Sequence, residues 1–468
     1  MLSETDPEVH DIIRREEARQ QETLSLIPSE NFFSPAVREA VGSVFMHKYS
    51  EGNVGQRYYE GNQYVDALEC LALARARQLF RLPPDWEANV QALSGSNANV
   101  AVYLALLDPG DVVLSMYLPD GGHLSHGWSY DPGVRPDPAE LVALPGRRRV
   151  TVSSRLYRTV QYKTDPSTRL INYDALATIA QQHRPRLIIT GGTAYPRLID
   201  HRRIRAIADG VGAWYLADIA HEAGLVAAGN IPSPVGVASV VTMTTHKTLR
   251  AGRGAIILAP AELMRQINRA VMPGLQGGPH NHNIAGICVG LGEALRPEFR
   301  VYAQQVVANA RHLAAQLSTR GFRLVAGGTD KHLLLIDLTG QPLLGRQFAR
   351  ALDCAGLVTN FNTMPQEVRP PTDPSALRLG TPWVTTRGMR EREMEQIAAW
   401  LFDVLAIGAP WGVLPRDEFD RQARSSLALR EIRQSVRELA QQFLLPVAAP
   451  EAERQRMPTR RLASSDIY

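Results

Sequence analysis

The sequence predicts an α/β protein: a large domain on a mostly parallel sheet, followed by a smaller C-terminal α+β domain. Three observations carry this. The chain has 468 residues, 44% of them apolar, enough for one large core and a second, smaller one. From Val90 onward, short apolar runs alternate with helical stretches, as strand–helix–strand crossovers require. Two of those runs end in a lone ionisable side chain, at Asp218 and at Lys247, where the carboxyl ends of parallel strands line a ligand crevice.

The elements follow in order. Asp6-Pro7 reads as an N-cap with proline at the first helical position, opening a helix to about Thr23. Leu24 to Asn62 is irregular and rich in Gly, Tyr and Asn; a loop this long inside a compact protein usually carries function. A helix spans Gln63–Leu79. Strands are expected at Val112–Met116, Arg186–Thr190, Trp214–Ala217, Val240–Thr244 and Gly254–Leu258. A helix near 294–319, with Pro297 inside it, leads to the second unit. That unit has strands at His332–Leu338 and Ala376–Leu379 and helices near 346–356 and 388–406. One helix is expected over 417–443, then a frayed end from Glu451. The implied divisions are an arm and active-site loop (1–62), a large domain (63–293), a small domain (294–415), and a C-terminal helix with its tail (416–468).

Composition narrows the function. A net charge of +4 is small for this length and gives no footprint for nucleic acid. Cys70, Cys288 and Cys354 stand in no metal-ligand spacing, so no metal site is expected, and three thiols fit a reducing, cytoplasmic compartment. The charged first helix is no signal peptide, and no apolar run is long enough to span a membrane.

Only four of the 51 basic residues are lysines: Lys48, Lys163, Lys247 and Lys331. Lys247 ends the β-branched run Val240–Thr248, where an ammonium is costly to desolvate and is usually paired, shifted or covalently used. A Lys able to form a Schiff base and an Asp able to hold a pyridinium nitrogen are what a protein contributes to pyridoxal 5'-phosphate (PLP) chemistry.

Other segments gain weight beside that pair. Ser94-Gly95-Ser96 opens a helix, where free N–H groups suit a phosphate or simply a cap. His123 follows a Gly-rich turn and could stack on a pyridine ring or bond to backbone. Glu51, beside Tyr58 and Tyr59, suits proton handling, although such a segment alone is more often a solvated loop. Arg378, among apolar neighbours, needs an anion: a substrate carboxylate or an internal acid. Gln276-Gly277-Gly278-Pro279 could offer backbone N–H groups to a phosphate or be only a turn.

Eight runs together resemble the serine hydroxymethyltransferase family: LIPSEN (26–31), YSEGNVGQRYYEGN (49–62), LSGSNANVAVY (93–103), LPDGGHLSHG (118–127), ADIAHEAGLVAAG (217–229), TTHKTLR (244–250), LQGGPHNHNIAG (275–286) and LRLGTP (377–382). The resemblance covers about residues 20–407. It implies an aspartate-aminotransferase-like fold (PLP fold type I) with a seven-stranded, mostly parallel sheet. It also implies a homodimer or tetramer with active sites shared between subunits.

By that resemblance Lys247 would anchor PLP covalently, Asp218 would bind its ring nitrogen and His221 would sit near the ring hydroxyl. His123 would stack on the ring. Ser94, Gly95 and Ser96 would hold the phosphate, with Gly277 and Gly278 contributed by the partner chain. Arg378 and Ser29 would hold the amino acid. Glu51 and Tyr59 would reach in from the partner, Glu51 managing the serine hydroxyl proton. His246 and Tyr58 would orient the substrate, and Thr193 would do the work of a serine common in the family. Leu118, Gly122, Leu124 and Asn362 would contact folate. The implied reaction moves the serine hydroxymethyl group reversibly to tetrahydrofolate, giving glycine and 5,10-methylenetetrahydrofolate. A folate-independent aldolase or transaldolase acting on threonine or other β-hydroxy amino acids stays open, because it would use the same Lys, Asp and Arg.

The chain departs from the family in places. Trp128–Arg149 is a longer, Pro-rich and then basic stretch, expected to border the folate entrance or a subunit contact. Ala251-Gly252-Arg253 replaces a usual Gly-Pro-Arg, Phe361 a lysine, and Val54 a proline.

Overall fold

The structure is a computed structural model and describes residues 1–132, 137 and 140–446. Eight strands form the large sheet: β1 (Trp86–Asn89), β2 (Val112–Met116), β3 (Val142–Ala143), β4 (Arg158–Tyr162), β5 (Leu187–Thr190), β6 (Trp214–Asp218), β7 (Val240–Thr244) and β8 (Ala255–Pro260). Their order across the sheet is β1-β8-β7-β6-β5-β2-β4-β3. From β7 through β4 all neighbours are parallel, whereas β8 and β3 run against theirs. The first seven of these are the mostly parallel sheet expected. The eighth, β3, comes from the Trp128–Arg149 stretch and extends the β4 edge.

The sheet is covered on both faces, which is why its strands read as continuous apolar runs rather than alternating ones. Ile188, Tyr215, Ala217, Val241 and Met243 face one core, which the Gln63–Leu79 helix also enters. Leu187, Ile189, Leu216, Val240 and Ile257 face the other, under the Gly95–Leu106 helix. Strands β1 and β4 escaped the sequence reading because WEAN and RTVQY mix polar and apolar residues at short length.

A second sheet is antiparallel: β9 (Arg323–Leu324), β10 (Leu333–Asp337), β11 (Asn360–Asn362) and β12 (Ala376–Gly380), in the order β9-β10-β12-β11. Its core takes Leu24, Leu26 and Phe32 from the N-terminal arm and Leu429, Val436 and Ala440 from the last helix.

Local physics corrects three expectations. Pro297 lies at the first helical position of Pro297–Thr319, not inside a helix that begins at 294; the preceding helix, Asn281–Ala294, ends before it. The single helix expected over 417–443 is two, Arg416–Ser425 and Leu427–Gln442, because the extended Ser426 breaks the run and caps the second by accepting from Leu429 N. The 24–62 segment is more regular than expected, with a helix at Pro35–Val41 and a small hairpin pairing Gly52–Asn53 with Gln56–Arg57. Among the described residues of the 128–149 stretch, Ser129–Tyr130 pairs with Arg148–Arg149, while Val142–Ala143 extends the sheet edge. The end expected to fray from Glu451 lies outside the described residues.

Candidate active site

Strands β5, β6 and β7 are adjacent and parallel, so their carboxyl ends deliver neighbouring segments to one place. There a cavity of about 260 Å3 is lined by Ser94, His123, Thr193, Asp218, His221 and Lys247, with Gly95, Ser96, His246 and Arg253 in the same wall. Residues up to 159 positions apart in sequence, Ser94 and Arg253, thus share one pocket.

Asp218 is buried at the end of β6. Its Oδ2 accepts from His126 Nε2 at 2.9 Å and Asn99 Nδ2 at 2.8 Å, and its Oδ1 from Ala220 N at 2.9 Å. Burial alone would raise its pKa. The His126 hydrogen bond and charge, with His123 and Asn99, outweigh this and hold it well below the usual carboxylate range. A permanently ionised, sequestered carboxylate is what a pyridinium N–H needs as partner.

Lys247 is 9% exposed. Burial lowers its ammonium to about 8, against the opposing pull of Asp218 and with help from Arg378 and Arg253. The free amine is therefore far more accessible near neutral pH than in a solvent lysine. Its backbone carbonyl accepts from Asn31 Nδ2 at 2.9 Å, which fixes the turn after β7.

Three imidazoles are held neutral. His123 is lowered to about 4 and His246 to about 3, both chiefly by burial, and His221 also falls well below its ordinary value. The His123 ring is pinned by Ser125, whose N–H donates to Nδ1 at 3.1 Å. His246 Nδ1 is buried without a partner among the described residues.

The phosphate-type subsite is a helix end. Ser94 caps the 12-residue Gly95–Leu106 helix through Asn97 N, which leaves the first N–H groups without intrahelical partners. Gly95 is required by close approach: a Cβ there would lie 2.7 Å from Thr244 Cγ2 at the end of β7.

Arg378 lies on β12 of the second sheet and reaches the site from the side. Its Nη1 donates to Thr193 O at 2.7 Å and its Nε to Asn360 Oδ1 at 3.0 Å. Burial lowers it to about 10, and no acidic side chain among the described residues offsets this. The internal-acid reading of Arg378 therefore fails, and a guanidinium edge is left for an external anion.

The remaining expected residues are placed elsewhere. Ser29 lines a separate cleft of about 960 Å3 that shares only His246 and Arg253 with the Lys247 cavity. Thr193, by contrast, is in the wall of the Lys247 cavity, where its hydroxyl donates to Gly122 O at 3.0 Å. Glu51, Tyr58 and Gly277 line a third cavity of about 440 Å3; Tyr59 Oη donates to Glu51 Oε2 at 3.2 Å, and Gly278 abuts the Tyr49 ring. None of this Glu51 group lines the Lys247 cavity. Leu118 and Gly122 lie in the loop before His123, Leu124 after it is half-exposed, and Asn362 ends β11.

Sequence reasoning missed His126, Asn99, Asn360 and Arg253. His126 stood in the quoted LPDGGHLSHG run, three residues after His123, and that proximity was the available signal. Asn99 lies one helical turn past the Ser94 cap and was legible only as a cap neighbour.

The donor set fits PLP: an anion-binding helix end, an ionised buried carboxylate and a lysine of depressed pKa around one cavity. Comparison with known proteins agrees. The family model "Serine hydroxymethyltransferase" matches residues 2–401. The chain is 48% identical over 445 residues to the serine hydroxymethyltransferase of Acidothermus cellulolyticus, covering 95% of this chain and 97% of that protein. It is 51% identical over 403 residues to that of Sorangium cellulosum (86% and 90%) and 49% over 406 to that of Alkalilimnicola ehrlichii (86% and 91%).

Proposed function

The chain belongs to the serine hydroxymethyltransferase family, and from that premise we propose how its own residues carry the reaction. It is a PLP-dependent glycine hydroxymethyltransferase of fold type I with tetrahydrofolate as co-substrate. The observation that carries the site assignment is Arg378, a buried guanidinium without an acidic partner among the described residues, beside the cavity that holds Lys247 and Asp218.

When bound, PLP supplies an electron sink for the pair released as the serine Cα–Cβ bond breaks. Lys247 is its covalent anchor, and its lowered pKa favours the free amine. Asp218, fixed by His126 and Asn99, keeps a proton on the ring nitrogen. His123, which stays neutral, would stack on the ring, and His221 would serve the ring hydroxyl. Ser94, Gly95 and Ser96 take the phosphate on the helix end. Arg378 takes the α-carboxylate, oriented by Asn360 and the Thr193 carbonyl, with His246 beside the amino acid; Ser29 would approach from the adjoining cleft, which shares His246 and Arg253 with the cavity.

Glu51, Tyr58, Tyr59, Gly277 and Gly278 lie together in this chain but apart from Lys247. That supports a homodimer in which each chain completes its partner's site, Glu51 receiving the serine hydroxyl proton. Leu118, Gly122, Leu124 and Asn362 are the folate contacts. Separate apolar clusters for the two sheets support a large and a small domain, and the finer divisions at residues 62, 293 and 415 are proposed from the sequence. A cytoplasmic location is proposed from the free thiols; no helix among the described residues is long and apolar enough to cross a membrane.

The deciding experiment is glycine release from serine by the PLP-loaded chain with and without tetrahydrofolate. A large folate-dependent rate is expected. Cleavage indifferent to folate and strongest on threonine-like substrates would replace this reading with the aldolase.

A further inference from the structure

A charged pair lies where the two sheets meet and takes no part in the chemistry above. Lys331 is fully buried and its Nζ pairs with Glu222 Oε1, itself 6% exposed. Neither residue lines the Lys247 cavity.

Their positions in the chain give the pair its reach. Glu222 opens the Ala223–Ala227 helix immediately after His221 and four residues after Asp218. Its N–H donates to Ile219 O at 2.8 Å, so it belongs to the turn that holds Asp218 in place. Lys331 stands two residues before β10, and β10 pairs with β12 so that Leu335 lies opposite Arg378. Between them, His221 and His332 stack with centroids 5.6 Å apart and ring nitrogens at 3.3 Å. The pair therefore ties the Asp218 turn of one sheet to the Arg378-bearing ladder of the other.

Neighbouring contacts fasten the same edge. Thr329 Oγ1 donates to Pro196 O at 3.2 Å, Lys331 N donates to Thr329 Oγ1 at 3.1 Å, and Arg197 pairs with Asp330 at 2.8 Å. Arg197 and Asp330 are partly exposed, and such a pair contributes little. Lys331 and Glu222 are buried: separating them leaves an uncompensated charge in the interior, a penalty that favours the relative placement of the sheets seen here.

We propose that Glu222–Lys331 is a positioning pair, setting the separation between the amino-acid carboxylate site at Arg378 and the cofactor site at Asp218 and Lys247. This rests on the assignment of Arg378 to the substrate. The pair touches neither ligand; it acts through β10 and the His221 turn. Substrate affinity is its predicted readout, since Arg378 and Asp218 must engage one small molecule together.

The test is Glu222→Leu/Lys331→Met in the PLP-loaded full-length protein. Replacing a buried ion pair by apolar residues of similar volume is often neutral for stability, so this double variant separates geometry from folding. Glycine dissociation constants are read from the absorbance of the bound cofactor, and serine KM and kcat from turnover. Glycine affinity and serine KM should both worsen roughly tenfold, about 1.4 kcal/mol, with kcat much less affected. The charge-swapped Glu222→Lys/Lys331→Glu should recover most of that loss. A folded double variant with wild-type glycine affinity overturns the proposal. Should it not fold, Glu222→Gln/Lys331→Gln takes its place, which removes both charges and leaves none buried alone, with the same two outcomes. Absent folate-dependent turnover in the unsubstituted protein would instead sink the transferase reading, and glycine affinity would still report on the pair.

Discussion

Arg378 shows how one residue's surroundings decide its role. A guanidinium that costs this much to bury persists only if an anion or well-placed acceptors repay it. The structure gives it Thr193 O and Asn360 Oδ1, both neutral, and leaves the charge for a ligand. Arg378→Ala should raise the serine KM about tenfold to a hundredfold, since a hydrogen bond to a charged group contributes roughly 1.5–3 kcal/mol. Arg378→Lys should recover only part of this, because a point charge cannot make the two-pronged contact. A serine KM within twofold of wild type for Arg378→Ala would remove Arg378 from the substrate site. Lys247 and Asp218 were readable from the sequence because each is a lone charge ending an apolar run. His126 was not, because nothing in a run of loop residues says which of two histidines turns toward the carboxylate.

At the scale of elements, Arg387 repeats the lesson away from the site. Its Nη1 donates to Thr23 O at 2.9 Å and Gln20 O at 3.2 Å. Nε and Nη2 donate to Phe443 O at 3.0 and 2.8 Å, and Nη2 also to Gln21 O at 3.2 Å. One buried guanidinium thus satisfies orphan carbonyls at the C-terminal ends of two helices, Pro7–Glu22 and Leu427–Gln442. Arg387→Met should keep the packing and lose these bonds, lowering stability by about 2–5 kcal/mol, measured as a shift in denaturant midpoint. An unchanged midpoint would mean that water replaces the guanidinium without cost. The helices themselves were legible: Asp6-Pro7 marked one start and the 417–443 periodicity marked the other region. The break at Ser426 was not, because a serine inside an amphipathic run caps only where tertiary packing turns the chain.

Over the whole molecule, acid should destabilise the fold. His123, His201, His221, His246 and His332 are all held below their ordinary value of 6.5, chiefly by burial. Below 6.5 the unfolded chain protonates them first, so it binds more protons and stability falls with pH down toward the folded values, about 4 for His123 and about 3 for His246. Asp120, raised to about 6 by burial, works the other way between 3.8 and 6. One carboxyl against five imidazoles does not reverse the sign. The urea midpoint should be clearly lower at pH 5 than at pH 7, and an equal or higher midpoint would contradict the burial of these rings. Assembly has its own check. Lys247→Ala and Glu51→Gln should each be inactive alone. Refolded together they should regain about a quarter of wild-type activity, since half of randomly paired dimers hold one intact site. A mixture that stays inactive would place Glu51 in its own chain's site.

The sequence by itself determined the alternating α/β order, the strands that end in Asp218 and Lys247, and the motif runs that identify the family. These are local properties: hydrophobic period, turn chemistry and residue identity are written into neighbouring positions. Only the tertiary structure decided that His126 and Asn99 fix Asp218, that Arg378 has no internal acid among the described residues, that the 128–149 stretch adds an eighth strand, and that Lys331 meets Glu222. Each of these depends on residues far apart in the chain meeting where the solvent is excluded. Burial and partnership, which set charge and cost there, belong to the fold and not to any segment of it.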